Sequence, residues 1–464
     1  MVMNMKLMST VDSNIKQFKR YFENNAMVKY RNIKSSRVDA YLIFQDGMSS
    51  GDVLDDRVIK PLLKNRKFVK TIEEYISVVL YASQCRVVKT IEDCNYAILS
   101  GDSVLVIDGY DEAIVIDTKT FNFRGNDESN SEKILRGPKE CFNEVLMKNT
   151  ALIRRRLQST HLKIETMYLD TKMHEQIALC YLDTKVNRKQ LDDLKQRLNN
   201  VLIKDSFDTN TLAEKISDAP FSIFQTMGIS ERADIICSKI NEGKIAIVVD
   251  GTCEVMWAPY VYLEAFHAPD DYYLPYVYAS VSRLIRIIGY YIAVFLPAIY
   301  LSIINYHVEL LDWKMLSNIL RMQKLVPFSS LVEVLVIVVC FELLKEATLR
   351  GPSQLSGTLG VISGIIFGDA IISANLISSI MLLVMAFSAL CSIMNIRLQS
   401  SIFILKIGFI FLSYYLGLYG ICVGIILLII YMHKLKSLNV SFATPVYSKK
   451  GLDGYLRIPS FLWK

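Results

Sequence analysis

Residues 351–396 run for 46 positions with a single charged side chain, Asp369. A soluble core helix is rarely so long or so free of charge, whereas two bilayer crossings need roughly 40 apolar residues. Ser356, Gly360, Gly364 and Gly368 recur within the stretch at a spacing of four. Small residues on one helix face let a second helix approach closely. The stretch is therefore expected to form a helical hairpin inside a membrane, with spans near 353–374 and 376–396. Asp369 falls near the end of the first span, where it is either solvated or a pore or relay carboxylate.

The chain around this hairpin divides in two. Residues 1–280 are rich in charge and read as soluble protein, and residues 287–432 are mostly apolar. The net charge of +6 is scattered, with no basic block to track phosphates, so no nucleic-acid partner is expected. Residues 1–30 hold no apolar h-region, and the N-terminal half is expected to stay in the cytoplasm. The nine cysteines form no CxxC pair, which suits a reducing compartment and argues against a zinc site.

The expected fold class is an α/β soluble N-terminal half of two small subdomains, followed by an all-α polytopic membrane domain. Residues 1–35 are expected to be a frayed helix or terminal arm. The first subdomain covers 36–124, with a strand over 38–47, a helix capped by Ser49 or Ser50, and a hairpin turning at Asp108-Gly109. A polar linker spans 125–135. The second subdomain, 136–269, holds a helix over 143–159, a strand over 176–184, and a helix with Leu191, Leu194, Leu198 and Val201 on one face. Its last two strands turn at Asp250-Gly251. Asp-Gly at strand ends is good turn chemistry, a plainer reading than a cluster of ligand-binding carboxylates. The run Arg154–Arg156 is expected to be a solvated helix face with one salt bridge.

The membrane domain is expected over 270–434. Tyr272, Tyr273, Arg283 and Arg286 suit a headgroup layer. Residues 287–306 carry no charge and form the first span, which Pro297 kinks, leaving a carbonyl for neighbouring helices to satisfy. Residues 307–324 form an amphipathic connector. The second span, 326–345, holds Glu333, which fits a pore or relay role and a structural role equally. Glu342, Glu346 and Arg350 read as ion pairs along one helix face. Residues 401–434 form one span or two, with only Lys406 charged inside, and Gly417, Gly420 and Gly424 permit a tight hairpin. The basic tail, 435–464, is expected in the cytoplasm, which requires an even number of crossings, four or six.

Enzymatic signals are missing. No GxxxxGK[ST] loop occurs, and the start of an HExxH match at His174-Glu175 has Ala178 where the second histidine belongs. No catalytic residue, metal site or cofactor is expected.

Several blocks together resemble the A-subunit family of spore germination nutrient receptors from endospore-forming bacteria. They are RGPKECF (136–142), NTALIRRRL (149–157), EGKIAIVVDGTCEVMWAP (242–259), DDYY (270–273), LPAIY (296–300), VPF (326–328), FELLKEATLRGP (341–352) and RIPSFLWK (457–464), with Arg283 and Arg286. ERAD (231–234) departs at Ala233, where the family has proline. Gly368-Asp369-Ala370-Ile371 departs from the family's glycine-glutamine-alanine-alanine. The resemblance covers Asp39 to the C-terminus. It implies a subunit of a nutrient-responsive complex in the inner membrane of the spore, working with a permease-like B subunit and a lipoprotein C subunit. It further implies self-association into a ring that conducts cations. A scaffold paralogue that senses no nutrient, and a secondary transporter, are the competing readings.

Overall fold

Strand β4 (Ser103–Ile107) shows how the soluble part is layered. Alternate side chains of a strand point to opposite faces. Val104 and Val106 join one apolar cluster, and Leu105 and Ile107 join another. A strand apolar on both faces needs helices on both, and it has them. The first cluster is closed by α1 (Val11–Tyr21) and α4 (Ile91–Leu99). The second is closed by α2 (residues 51–64) and α3 (residues 72–79). Ser50 caps α2, its hydroxyl accepting the Val53 N–H.

The computed structural model describes residues 6–35, 38–65, 71–119, 136–169, 176–201, 208–350, 368–443 and 454–457, with Val69, Glu132 and Ile134. Two compact units result. The first comprises residues 1–220, 227–260 and 437–439, and the second residues 221–226, 261–436 and 440–464.

The first unit contains two five-stranded antiparallel sheets. The first sheet also has β1 (Val28–Ser35), β2 (Val38–Gln45), β3 (Cys85–Val88) and β5 (Ala113–Ile116), in the order β1-β2-β4-β5-β3. The second has β6 (Leu162–Tyr168), β7 (Gln176–Leu182), β8 (Gly228–Ser230), β9 (Ile245–Val249) and β10 (Val255–Ala258), in the order β6-β7-β9-β10-β8. The second order repeats the first, shifted by five strands. The helices repeat too: α5 (Leu146–Arg156) corresponds to α1, α6 (Arg188–Asn200) and α7 (Thr209–Ile216) to α2 and α3, and α8 (Ala233–Asn241) to α4.

The repetition extends to single hydrogen bonds. Asp108, in the turn between β4 and β5, accepts the N–H of Val11, the first residue of α1, at 3.1 Å. Asp250, between β9 and β10, accepts the N–H of Leu146, the first residue of α5, at 2.9 Å. Asn14 and Asn149 each bridge back six residues, accepting from Met8 N and Asn143 N at 2.8 Å. Gly109 and Gly251, both at positive φ, donate to Ser9 and Glu144. Each Asp-Gly thus supplies a turn and caps the helix that opens its subdomain.

Two expectations need correction here. Residues 11–35 are not a frayed arm. Val11, Ile15, Phe18 and Phe22 recur at helical spacing and are buried against the first sheet, and β1 pairs with β2 along its length. Arg154 is not solvated. It is fully buried, and its guanidinium donates to the Ser159 and Leu162 carbonyls, both at 2.9 Å, tying the end of α5 to the start of β6. Burial holds its pKa down at about 10. Arg155 and Arg156 share Glu140, the single salt-bridge partner expected for the run.

One glycine is fixed by a close approach. Gly228 pairs with Trp257 across β8 and β10, and a Cβ there would fall 2.1 Å from the indole.

The second unit is helical. Its main elements are α9 (Tyr276–Tyr306), α10 (Trp313–Gln323), α11 (Ser330–Arg350) and α12 (Ser379–Ile393), then a long helical stretch, Gln399–Lys434. Tyr276–Tyr306 and Ile396–Lys434 are long and apolar enough to cross a membrane. The last stretch doubles back. Gly417 has φ 61° and ψ −144°, outside helical space. A Cβ on Gly420 would fall 2.2 Å from the Leu412 carbonyl oxygen, and one on Gly424 2.5 Å from the Phe409 ring. In a straight helix residues 409 and 424 stand roughly 22 Å apart. The stretch is therefore two helices, α13 (399–416) and α14 (418–434), packed through a glycine face with its turn at Gly417.

Pro297 lies inside α9 and cannot donate to the Ala293 carbonyl. Ser388 of α12, fully buried, donates its hydroxyl to that carbonyl at 2.8 Å. One turn on, Ser413 of α13 donates to the Ala298 carbonyl at 2.6 Å.

Candidate functional site

The residues of interest lie in the second unit, where α11 and α12 meet. Glu333 stands in the first turn of α11, and a carboxylate there meets the positive end of its own helix dipole. It is 2% exposed. Val334 beside it in the chain, and Ile377 beside its hydrogen-bond partner, belong to an apolar cluster with Leu301, Met381 and Ile410. A bare carboxylate in such surroundings carries a heavy desolvation cost.

The compensation is a second helix. Glu333 Oε1 accepts the Ser378 N–H at 2.6 Å. Ser378 is the N-cap of α12, and its hydroxyl accepts the Met381 N–H at 3.4 Å. The carboxylate therefore sits at the N-terminal ends of two helices at once. Each such dipole contributes about 0.3–1 kcal/mol, rising to about 2 in partly buried geometry. Chemically this is a charge-assisted latch between α11 and α12.

The other residues singled out by sequence are spread over the same unit. Asp369 is exposed in the helical segment 368–373. Gly368 lines an apolar groove with Ile337, Phe341, Ile371 and Leu382. Ser356, Gly360 and Gly364 lie outside the described residues. Glu342 pairs with Lys345, and Glu346 with Arg350, both along α11. Lys406 of α13 is buried.

Arg283 and Arg286 do not face outward together. Both guanidiniums converge on Asp271, with Arg283 Nε at 3.2 Å, and both Arg283 and Asp271 are almost fully buried. Arg286 Nε also donates to the Phe266 carbonyl at 2.8 Å. Tyr273 is exposed and Tyr272 half-buried. The Tyr272 carbonyl accepts from Arg457 at 2.9 Å, which fixes the tail to the start of α9. Among the described residues no group of three His, Cys, Asp or Glu side chains is placed to hold a metal ion.

The sequence does not single out Ser378 or Ser388, and it shows Asp271 only as part of the DDYY block, without its arginine partners. Serines in apolar helices are the signal for the first two, since they supply hydrogen bonds where water cannot. Asp271 carries no periodic signal, because its partners lie 12 and 15 residues away in the chain.

Comparison with known proteins adds the following. Residues 16–464 match the family described as "Bacillus/Clostridium GerA spore germination protein". The chain is 32% identical to spore germination protein B1 of Bacillus subtilis (strain 168), over 99% of this chain and 97% of that protein. It is 27% identical to the uncharacterized membrane protein YfkQ of the same organism, over 90% and 83% of the two chains. The crystal structure of the N-terminal domain of the A subunit of the Bacillus megaterium spore germinant receptor GerK3 aligns with a TM-score of 0.44 at 20% identity, covering 56% of this chain and 99% of that one.

Proposed function

Because this chain belongs to the GerA family of Bacillus/Clostridium spore germination proteins, we propose that it is the membrane-embedded A-type subunit of a spore germinant receptor. The observation that carries the reading is the extent of the likeness. It runs from residue 16 to residue 464 and takes in nearly the whole of a named spore germination protein. The subunit works with a permease-like B subunit and a lipoprotein C subunit in the inner membrane of the spore. Its first 269 residues and its tail lie in the cytoplasm.

The hairpin at Gly417 supports six crossings: α9, α11, α12, α13, α14 and the span expected over 353–374, of which residues 353–367 lie outside the described residues. Six is an even number, as cytoplasmic ends require. Copies of the subunit assemble into a ring that conducts cations, with Asp369 as the exposed carboxylate available to a pore. The Glu333–Ser378 latch supports a gating role. It holds two spans together by one buried hydrogen bond, which nutrient binding on a partner would release.

The test is deletion of the gene, followed by exposure of dormant spores to separate nutrients while potassium and dipicolinate release are recorded. A receptor subunit predicts loss of both releases for one class of nutrient, restored by the gene in trans. Normal potassium release to every nutrient, with only slower dipicolinate release, would assign the chain to an accessory role.

A further inference from the structure

Helix α10 joins α9, which is long and apolar enough to cross a membrane, to α11. It starts seven residues after α9 ends and stops seven before α11 begins. Stepping 100° per residue, its side chains divide into two halves, with Gln323 the one polar residue inside the apolar half. Met322, Met315, Ile319, Leu316, Leu320 and Trp313 fill one half of the circumference. Lys314, Arg321 and Lys324 fill the other, with Ser317 and Asn318, and no acidic residue lies between Trp313 and Leu325. Asp312 caps the helix, its carboxylate accepting the Lys314 N–H at 3.3 Å.

The apolar half is largely uncovered by the protein. Only Ile319 is buried. Trp313 is 77% exposed, Met315 47% and Leu320 43%, and Leu310 and Leu325 extend the uncovered surface at either end. A helix with an apolar half left in water and a basic half opposite has the composition of a segment that lies in a membrane interface. Indole at its start suits the headgroup level, and the cations match anionic headgroups.

We propose that α10 lies flat on an anionic lipid surface, with Trp313, Met315 and Leu320 at the headgroup–acyl boundary and Lys314, Arg321 and Lys324 turned to the phosphates. This rests on the membrane reading above. The favoured occupant is lipid rather than another protein for two reasons. The chain enters α10 from α9, which is long and apolar enough to cross a membrane, and the charge on the polar half of α10 has one sign. The helix then fixes the level at which α9 and α11 sit in the bilayer.

The experiment uses the full-length chain in phosphatidylcholine vesicles with and without phosphatidylglycerol. Of the chain's three tryptophans, Trp313 is the one removed in W313F, and the other two stay in place. Lipids brominated near the headgroup should quench wild-type fluorescence, and W313F should lose that part of the quenching. Aqueous iodide should leave the Trp313 contribution intact. The variant K314Q/R321Q/K324Q, which keeps the apolar half, should lose the additional quenching that phosphatidylglycerol brings. If the chain floats with vesicles but iodide quenches Trp313 and brominated lipid does not, the inference fails while the membrane reading stands. If neither agent reaches Trp313, a protein surface covers it and the lipid assignment is overturned. If the chain does not float with vesicles, the membrane reading fails with it.

Discussion

Glu333, Asp208 and Gly228 show three ways in which a single side chain is fixed by its surroundings. Glu333 is tolerated in an apolar cluster because two helix N-termini face it. Asp208 is an ordinary cap: its carboxylate accepts the Thr211 N–H at 2.8 Å, and bonds to Thr211 hold its pKa below the usual aspartate value. A carboxylate with a lowered folded pKa contributes stability above its unfolded pKa, and that stability is lost as pH falls through the folded value. Urea unfolding of the detergent-solubilised chain should therefore show a weakening of the first unit on acidification that Asp208→Asn flattens. Asp208→Ala should cost about 1 kcal/mol at neutral pH. Gly228 is set by the Trp257 ring against its Cα. Such facts were only partly legible beforehand. The carboxylate of Glu333 was flagged by its apolar context, but its partner is a backbone N–H, which has no signature in sequence. The tyrosine-rich neighbourhood of Arg283 points to a headgroup layer, and its pairing with Asp271 has no signature in sequence.

At the scale of elements, periodic pattern was a good guide wherever burial is one-sided or complete. The strands over 38–45, 103–107, 113–116, 176–182 and 245–249 match apolar runs ended by turn residues. The helix with Leu191, Leu194 and Leu198 lies where its spacing puts it. The antiparallel order shared by the two sheets was not legible, since it depends on pairings between residues far apart in the chain. The α1 helix is hard to read in sequence because its three buried apolar positions, Val11, Ile15 and Phe18, are diluted among polar ones. Pro297 gave a firmer lead. Its missing N–H required a donor from another helix, and Ser388 supplies it. Ser388→Ala should destabilise the helical unit by about 1 kcal/mol, by leaving a buried carbonyl without a donor. In the Pro297→Ala background the helix donates to Ala293 itself, so Ser388→Ala should then cost little. A thermal-melt double-mutant cycle measures the difference. Equal losses in both backgrounds would remove Ser388 from this role.

At the scale of the molecule, the chain combines a duplicated α/β unit with a helical unit whose apolar helices suit a bilayer. The duplication explains why two Asp-Gly turns recur. Each caps the first helix of its own copy, so the carboxylates serve the fold and leave no ligand set at a sheet edge. Function is then sought in the helical unit, where the unusual feature is a buried carboxylate bridging two helix N-termini. The fold class and the family were both legible in sequence, from the contrast between halves and from short blocks spread over the chain. The latch was not, because it exists only once α11 and α12 are brought together.

The most direct test of this account is potassium release from spores that carry Glu333→Gln in place of the wild-type chain. Glutamine keeps an oxygen for the Ser378 N–H but removes the charge that both helix ends hold, so the latch weakens while the protein remains. Normal protein abundance in the spore membrane is expected, with potassium release that starts at lower nutrient concentration or without nutrient. Wild-type release at every nutrient concentration, with the variant present at the normal level, would contradict it.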